Sequence, residues 1–231
     1  CRMSGTSIGA LIGAAYAGGL SAAEIEDHAR TVLSNKLDAA RRAFSSGRGG
    51  LLDLINFNPL ASPILDGTQL VKLVLPASIP DDLAKFAIPL TVVTTDFYAM
   101  SEVAFSSGDP VSAIAASIAI PGVISAPRRE VTLIDGGCVN PVPISHVQDG
   151  CDIVVAVNVI GRPVHSNDSS ARSTDLLSGA MQIQQHKLAQ LQRERLRCDI
   201  WIEPSISQFR LHDFFHFEDI INASRPAREE I

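Results

Sequence analysis

Gly5-Thr6-Ser7-Ile8-Gly9 is the stretch of this chain best suited to nucleophilic chemistry. A serine between two glycines, followed by the apolar run Ala10-Leu11-Ile12-Gly13-Ala14-Ala15-Tyr16-Ala17, reads as a strand end, a sharp turn and a tightly packed helix. Such a turn lifts a serine Oγ clear of the backbone and aims it at a bound ester. The Ile8 N–H and the positive end of the helix are then available to the developing oxyanion. Gly5 and Gly9 supply the missing Cβ atoms that a tight turn and a close strand–helix approach need. The same residues also fit a Gly/Ala-rich helix start, or a small-xxx-small membrane helix through Gly9 and Gly13.

The second chemical feature is Asp135-Gly136-Gly137, which follows the apolar run Val131-Thr132-Leu133-Ile134. An acid at the end of a buried strand, followed by two glycines, places a carboxylate on a turn at the carboxyl end of a sheet, where open α/β folds bind ligands. Asp66-Gly67 and Asp149-Gly150 are Asp-Gly pairs without such a strand before them. Asp135 could take the Ser7 proton if it is ionised near neutral pH and within hydrogen-bond reach. A free carboxylate is a weak base for a serine, and burial beside the strand would raise its basicity. The competing arrangement is a Ser-Asp-His triad, with His146, His165 and His212 as the later bases.

The elements that must position these groups can be read in order. Ser21 with Glu24 forms a capping box for a helix, with His28 on its surface or edge. Asp66-Gly67-Thr68 opens a helix ending before Pro76. Ile88 to Thr95 is the strongest strand signal. It turns at Asp96-Phe97-Tyr98-Ala99-Met100 into a second strand, Ser101 to Phe105, with Asp96 in a structural turn role. Asp109-Pro110 starts a helix of small residues. A short helix is expected near Ile144 to Val147. A strand apolar on both faces, hence central and parallel, is expected over 152–160. A long amphipathic helix over about 174–197 carries Leu177, Met181, Leu188 and Leu191 on one side, and Cys198 to Glu203 is a final strand before a terminal helix. Strands alternating with helices make the chain α/β.

Composition narrows the function classes. The chain has 231 residues, 46% hydrophobic and 19% charged, enough for a proper core. A net charge of −6 argues against nucleic acid as the main partner. Cys1, Cys138, Cys151 and Cys198 have no metal-binding spacing and read as reduced, mostly buried thiols in a cytoplasmic chain. The histidines form no metal signature, so neither a metal nor another cofactor is expected. No run is long and apolar enough to span a membrane. Five basic residues and one acid lie between Arg30 and Arg48. They suit a solvated helix face, or a mobile cap over 36–65 that meets lipid headgroups at a peripheral membrane surface. Beginning at Cys1, directly ahead of the Ser7 turn, the chain is expected to continue upstream.

Taken together and in order, Ser4-Gly5-Thr6-Ser7-Ile8-Gly9-Ala10-Leu11, Thr95-Asp96, Ala113-Ile114-Ala115-Ala116-Ser117 with Ile120-Pro121-Gly122, and Ile134-Asp135-Gly136-Gly137 with Pro141 and Pro143 resemble the patatin-like phospholipase family. The resemblance covers about residues 1–160. It implies a single catalytic domain over 1–231 with a three-layer α/β/α fold and a mainly parallel central sheet. It further implies a Ser7 nucleophile with Asp135 as its partner, and no metal in the chemistry. The substrates it implies are phospholipids, lysophospholipids or related lipid esters. Gly5, Ile8, Gly9, Gly136 and Gly137 would support the elbow and the oxyanion. The family's glycine-rich oxyanion loop lies upstream of the elbow, so this chain is expected to lack it, with its N-terminal strand, and to be poorly active by itself. A lipid-binding or regulatory module of the same fold is the non-catalytic alternative.

Overall fold

A computed structural model describes residues 1–32, 55–56, 64–163, 173–209 and 217–230. The chain divides into two compact units, Cys1–Gly137 and Cys138–Ile231.

β4 (Leu90–Asp96) is the strand on which the first unit is assembled. Its sequence, Leu-Thr-Val-Val-Thr-Thr-Asp, is dominated by β-branched residues that suit a pleated, buried surface. One edge of β4 carries β5 (Ser101–Phe105) in an antiparallel hairpin, with Asp96 opposite Ser101. The other edge is shared by two short strands. β1 (Met3–Thr6) runs parallel to β4 and ends with Thr6 opposite Val93. β7 (Leu133–Asp135) runs antiparallel and ends with Asp135 opposite Thr94. The carboxyl ends of β1 and β7 therefore meet head to head, one β4 residue apart. β2 (Ile55–Asn56) and β3 (Ile64–Asp66) pair antiparallel, and β3 pairs parallel with β6 (Ile124–Ser125).

Helices pack on this sheet through small residues. α1 (Ile8–Ala17) contributes Ala10, Ala14 and Ala17 to a core that also holds Leu90 and Val92 of β4 and Val71 of α3 (Gly67–Val74). α4 (Pro110–Ser117) adds Ala113, Ile114 and Ala115 to it. Side chains this short let a helix backbone approach the strand closely, so hydrogen bonds between helix and strand come within reach. The helix starts follow the expected chemistry. The Ser21 hydroxyl and Glu24 carboxylate form the capping box of α2 (Ala22–Thr31). Asp66 accepts from the Gln69 N–H at 3.0 Å. Asp109 accepts from the Val111 and Ser112 N–H groups, with Pro110 in the first turn. His28 is half-buried, with Nε2 2.8 Å from the Val74 carbonyl.

The second unit departs from its expected pattern in two places. β8 is confined to Val155–Val157 and pairs parallel with β9 (Ile200–Ile202). Val154, Ala156 and Asn158 are buried, whereas Ile153, Val155, Val157 and Val159 are exposed. The strand is thus covered on one face only. A run apolar on both faces does not by itself mean that both faces are covered. The long helix α5 (Ser173–Arg195) forms as expected, with Met181 and Leu188 half-buried and Ala189 in the core, but Leu177 and Leu191 point outward. Gln192 donates to Asn140 Oδ1 at 2.5 Å and accepts from the Val142 N–H, so the helix turns its glutamine toward the unit's interior. α6 (Phe217–Ser224) is the terminal helix. Cys1 is exposed and the other three cysteines are half-buried, all as free thiols, so the expected burial of most of them does not hold. Among the described residues no helix is long and apolar enough to cross a membrane. The expected cap segment, 36–65, lies outside the described residues apart from 55–56 and 64–65.

Candidate active site

Ser7 sits between β1 and α1 with φ 54° and ψ −122°, a left-handed conformation that a residue with a Cβ adopts at a cost of about 1–3 kcal/mol. The turn is forced by close packing at Gly5. A Cβ there would lie 2.5 Å from the Gly9 carbonyl oxygen and 2.7 Å from the Ala10 nitrogen, inside the backbone of the first helical turn. Gly9 is different, because a Cβ there would meet nothing within 4 Å. Of the two glycines that flank Ser7, only Gly5 is required by space.

A strand, one acceptor and one donor position Asp135. β7 brings it opposite Thr94, its own N–H donates to the Ala119 carbonyl at 2.9 Å, and its carbonyl accepts from Thr95 Oγ1 at 2.9 Å. Its backbone is therefore fixed from β4 and from the segment after α4. Gly136 follows without a Cβ because one would run into the Val93 carbonyl. Gly137 then turns its N–H back onto Asp135 Oδ1 at 2.7 Å.

With both residues held in this way, Ser7 Oγ donates to Asp135 Oδ2 at 2.6 Å across 128 positions of sequence. Asp135 is buried, only 3% exposed. Its pKa is raised above the ordinary carboxylate value, because burial disfavours the charged form by more than the Ser7 and Gly137 hydrogen bonds favour it. Ser7 is half-buried and so remains open to a reactant. The Ser7 carbonyl accepts from the Ala10 and Leu11 N–H groups, which leaves the Ile8 and Gly9 N–H groups at the exposed start of α1 without an intrahelical acceptor. Those donors and the helix dipole both favour negative charge beside Ser7.

The structure thus brings Ser7, Ile8, Gly9, Asp135, Gly136 and Gly137 together around one sheet end, with Gly5 behind them. His146 lies in a single turn, Ile144–His146, of the second unit. His165 and His212 lie outside the described residues. Among the described residues no group of three or more His, Cys, Asp or Glu could hold a metal ion. Sequence reasoning counted Ser117 and Thr95 only toward the family resemblance and gave them no role at the site, where the buried Ser117 hydroxyl accepts from the Ser7 N–H at 2.8 Å and Thr95 stands behind Asp135. Ser117 ends a helix made otherwise of Pro, Ala, Val and Ile apart from Ser112, and a lone hydroxyl at the buried end of such a helix was the available signal.

Residues 2–147 match the family of patatin-like phospholipases. Among curated proteins, the chain is similar to uncharacterized NTE family proteins of Mycobacterium bovis and of two strains of Mycobacterium tuberculosis. Each is 31% identical over 162 residues, covering 69% of this chain and 41% of the relative. The matched region spans less than half the length of those relatives. Because the family match runs unbroken from the Ser7 turn through the Asp135-Gly136-Gly137 motif and covers more than half of the chain, this protein belongs to the patatin-like phospholipase family.

Proposed function

We propose that the protein is a serine acyl hydrolase of lipid carboxylic esters, with Ser7 as nucleophile and Asp135 as its general base. The observation that carries this reading is the 2.6 Å hydrogen bond from Ser7 Oγ to a buried carboxylate whose basicity is raised by burial. Ser7 Oγ attacks the ester carbonyl carbon as Asp135 Oδ2 takes its proton. The tetrahedral oxyanion is met by the Ile8 and Gly9 N–H groups. Collapse of the intermediate expels the alcohol, which leaves with the proton returned by Asp135. Water, deprotonated by the same carboxylate, then cleaves the acyl-serine to release the carboxylic acid and restore Ser7.

Phospholipids are the substrates that the family match favours, with lysophospholipids and related lipid esters as further candidates. The exposed side of α1 supports an acyl chain at this site. Ile8, Ile12 and Tyr16 recur one turn apart, each 40–45% exposed, and lead away from Ser7. The same stripe would suit contact with a membrane surface. The two oxyanion donors would each be worth on the order of 10²–10³ in rate.

The test is fluorophosphonate labelling of the full protein with mapping of the adduct, together with hydrolysis of p-nitrophenyl esters and phospholipid vesicles. An adduct on Ser7 that is lost with catalysis in Asp135→Asn is expected. Labelling elsewhere, or ester hydrolysis unchanged in Asp135→Asn, would refute the assignment.

A further inference from the structure

β1 and β4 form a parallel ladder whose hydrogen bonds repeat every two residues. The Met3 N–H donates to the Pro89 carbonyl at 2.9 Å. Stepping by two along both strands pairs the Gly5 N–H with the Thr91 carbonyl and, next, the Ser7 N–H with the Val93 carbonyl. That last bond is not made. The Ser117 hydroxyl stands between the two groups instead, accepting from the Ser7 N–H at 2.8 Å and donating to the Val93 carbonyl at 2.6 Å. Ser117 is fully buried at the end of α4, and Asp109 at the other end of that helix anchors its start. The small residues of α4 let the helix come near enough for a side chain of one carbon to reach the ladder.

We infer that Ser117 is a positioning residue for the nucleophile. Its inserted hydroxyl lengthens the ladder by one group, and this lets the chain leave β4 at Ser7 while both backbone groups stay paired. The consequence is geometric. With the N–H drawn toward α4, Ser7 takes φ 54° and directs Oγ along the strand end to Asp135. Without the hydroxyl, the shortest way to satisfy both groups is the direct bond from the Ser7 N–H to the Val93 carbonyl. That bond would straighten the turn and carry Oγ away from Asp135 Oδ2. Ser117 touches no reacting atom and acts through the Ser7 backbone.

This role rests on Ser7 being the nucleophile, and the experiment separates the two. Ser117→Ala is compared with wild type and with Ile114→Val, which trims the same helix in the same core without touching a hydrogen bond. Rates are expressed per site titrated with fluorophosphonate, so that unfolded protein does not count. Ser117→Ala should lower kcat and the rate of Ser7 labelling by about 10–100-fold with KM within about twofold, the effect of a misplacement near 1 Å. Ile114→Val should lower the melting temperature and leave kcat unchanged. Should Ser117→Ala not fold, Ser117→Cys replaces it, its longer and weaker thiol contacts giving a smaller loss in the same direction. Labelling of Ser7 at the wild-type rate in Ser117→Ala, or in Ser117→Cys, overturns the positioning role alone. Absence of a Ser7 adduct in the wild type overturns the nucleophile assignment and this role with it.

Discussion

Two turns of the first unit use the same parts for different ends. The β4–β5 turn has an aspartate, Asp96, at a strand end and a non-glycine residue, Met100, at φ 52°. The Ser7 turn has Asp135 at a strand end beside it and Ser7 at φ 54°. In the hairpin, Asp96 Oδ1 accepts the Tyr98 and Ala99 N–H groups at 3.0 Å each, so its carboxylate is committed to local backbone, and Met100 is 82% exposed. At the other turn, Asp135 accepts only one local N–H, from Gly137. Its second oxygen faces a hydroxyl that arrives from a distant part of the chain. A carboxylate becomes a candidate base when one oxygen is held by the backbone, the other is left for a reacting group, and water is excluded. Burial and the source of the second partner separate the two aspartates. Residue type and position on the strand do not.

The largest test of that contrast is kinetic. Asp135→Asn should reduce ester hydrolysis by about 10²–10⁴-fold, the range for a general base. Asp96→Asn should stay within about threefold, since one amide oxygen still accepts the turn's N–H groups. Both are read as kcat/KM on the same ester. Equal losses would mean that Asp135 is structural in the way Asp96 is.

The pH dependence follows from the raised pKa of Asp135. With Asp135 as the proposed base, activity needs the carboxylate ionised, so it should fall as pH drops through that raised value, above the point where an ordinary carboxylate titrates. The stability effect has the opposite sign. Folded Asp135 binds its proton more tightly than the unfolded residue, so the native state holds the extra proton between the ordinary value of 3.8 and the raised one. Stability therefore falls as pH rises through that window and stays lowered above it. The amide in Asp135→Asn can accept from the Gly137 N–H and donate to Ser7 Oγ. That variant should thus be more stable than wild type at neutral pH, with a flatter pH profile in denaturant melts. A variant less stable than wild type at pH 7 would show that the ionised carboxylate stabilises the fold.

Backbone changes give smaller effects. Gly5→Ala drives a Cβ into the first turn of α1 and should cost about 1–3 kcal/mol in denaturant unfolding. Gly9→Ala fills open space in a helix and should gain up to about 1 kcal/mol. Smallest is Met100→Gly in the hairpin. It should stabilise by at most about 1 kcal/mol through relief of the left-handed φ, and leave ester hydrolysis unchanged. If Met100→Gly lowered hydrolysis as well, the two turns would not be independent.

Much of this was legible in the residues. Gly5-Thr6-Ser7-Ile8-Gly9 ahead of a run of alanines suits a sharp strand–helix turn, because two short-range features, small residues around the serine and an apolar helix face, fall in adjacent positions. Asp109-Pro110, Asp66 and Ser21 with Glu24 declare their helix starts because capping is satisfied within three residues. Asp96 declares its turn for the same reason. Local hydrogen bonding leaves a local pattern. Other features depended on contacts between distant segments. Nothing near Ser7 says that β7 runs antiparallel and stops opposite Thr94, yet that register is what closes a gap of 128 residues to 2.6 Å. Nor does a serine at the end of an alanine-rich helix announce that its hydroxyl will replace a rung of a ladder formed by β1 and β4. On α5 the predicted stripe held at Met181 and Leu188, which are half-buried, and failed at Leu177 and Leu191, which are exposed, while a glutamine amide on the inner side pairs with Asn140, 52 positions away. The sequence by itself pointed to the Ser7 turn, the helix caps, Asp135 as the partner and the family. Tertiary structure decided the register that brings Asp135 to the serine, and what holds the serine in its strained turn. Each of those is a sum over segments that no window of sequence contains.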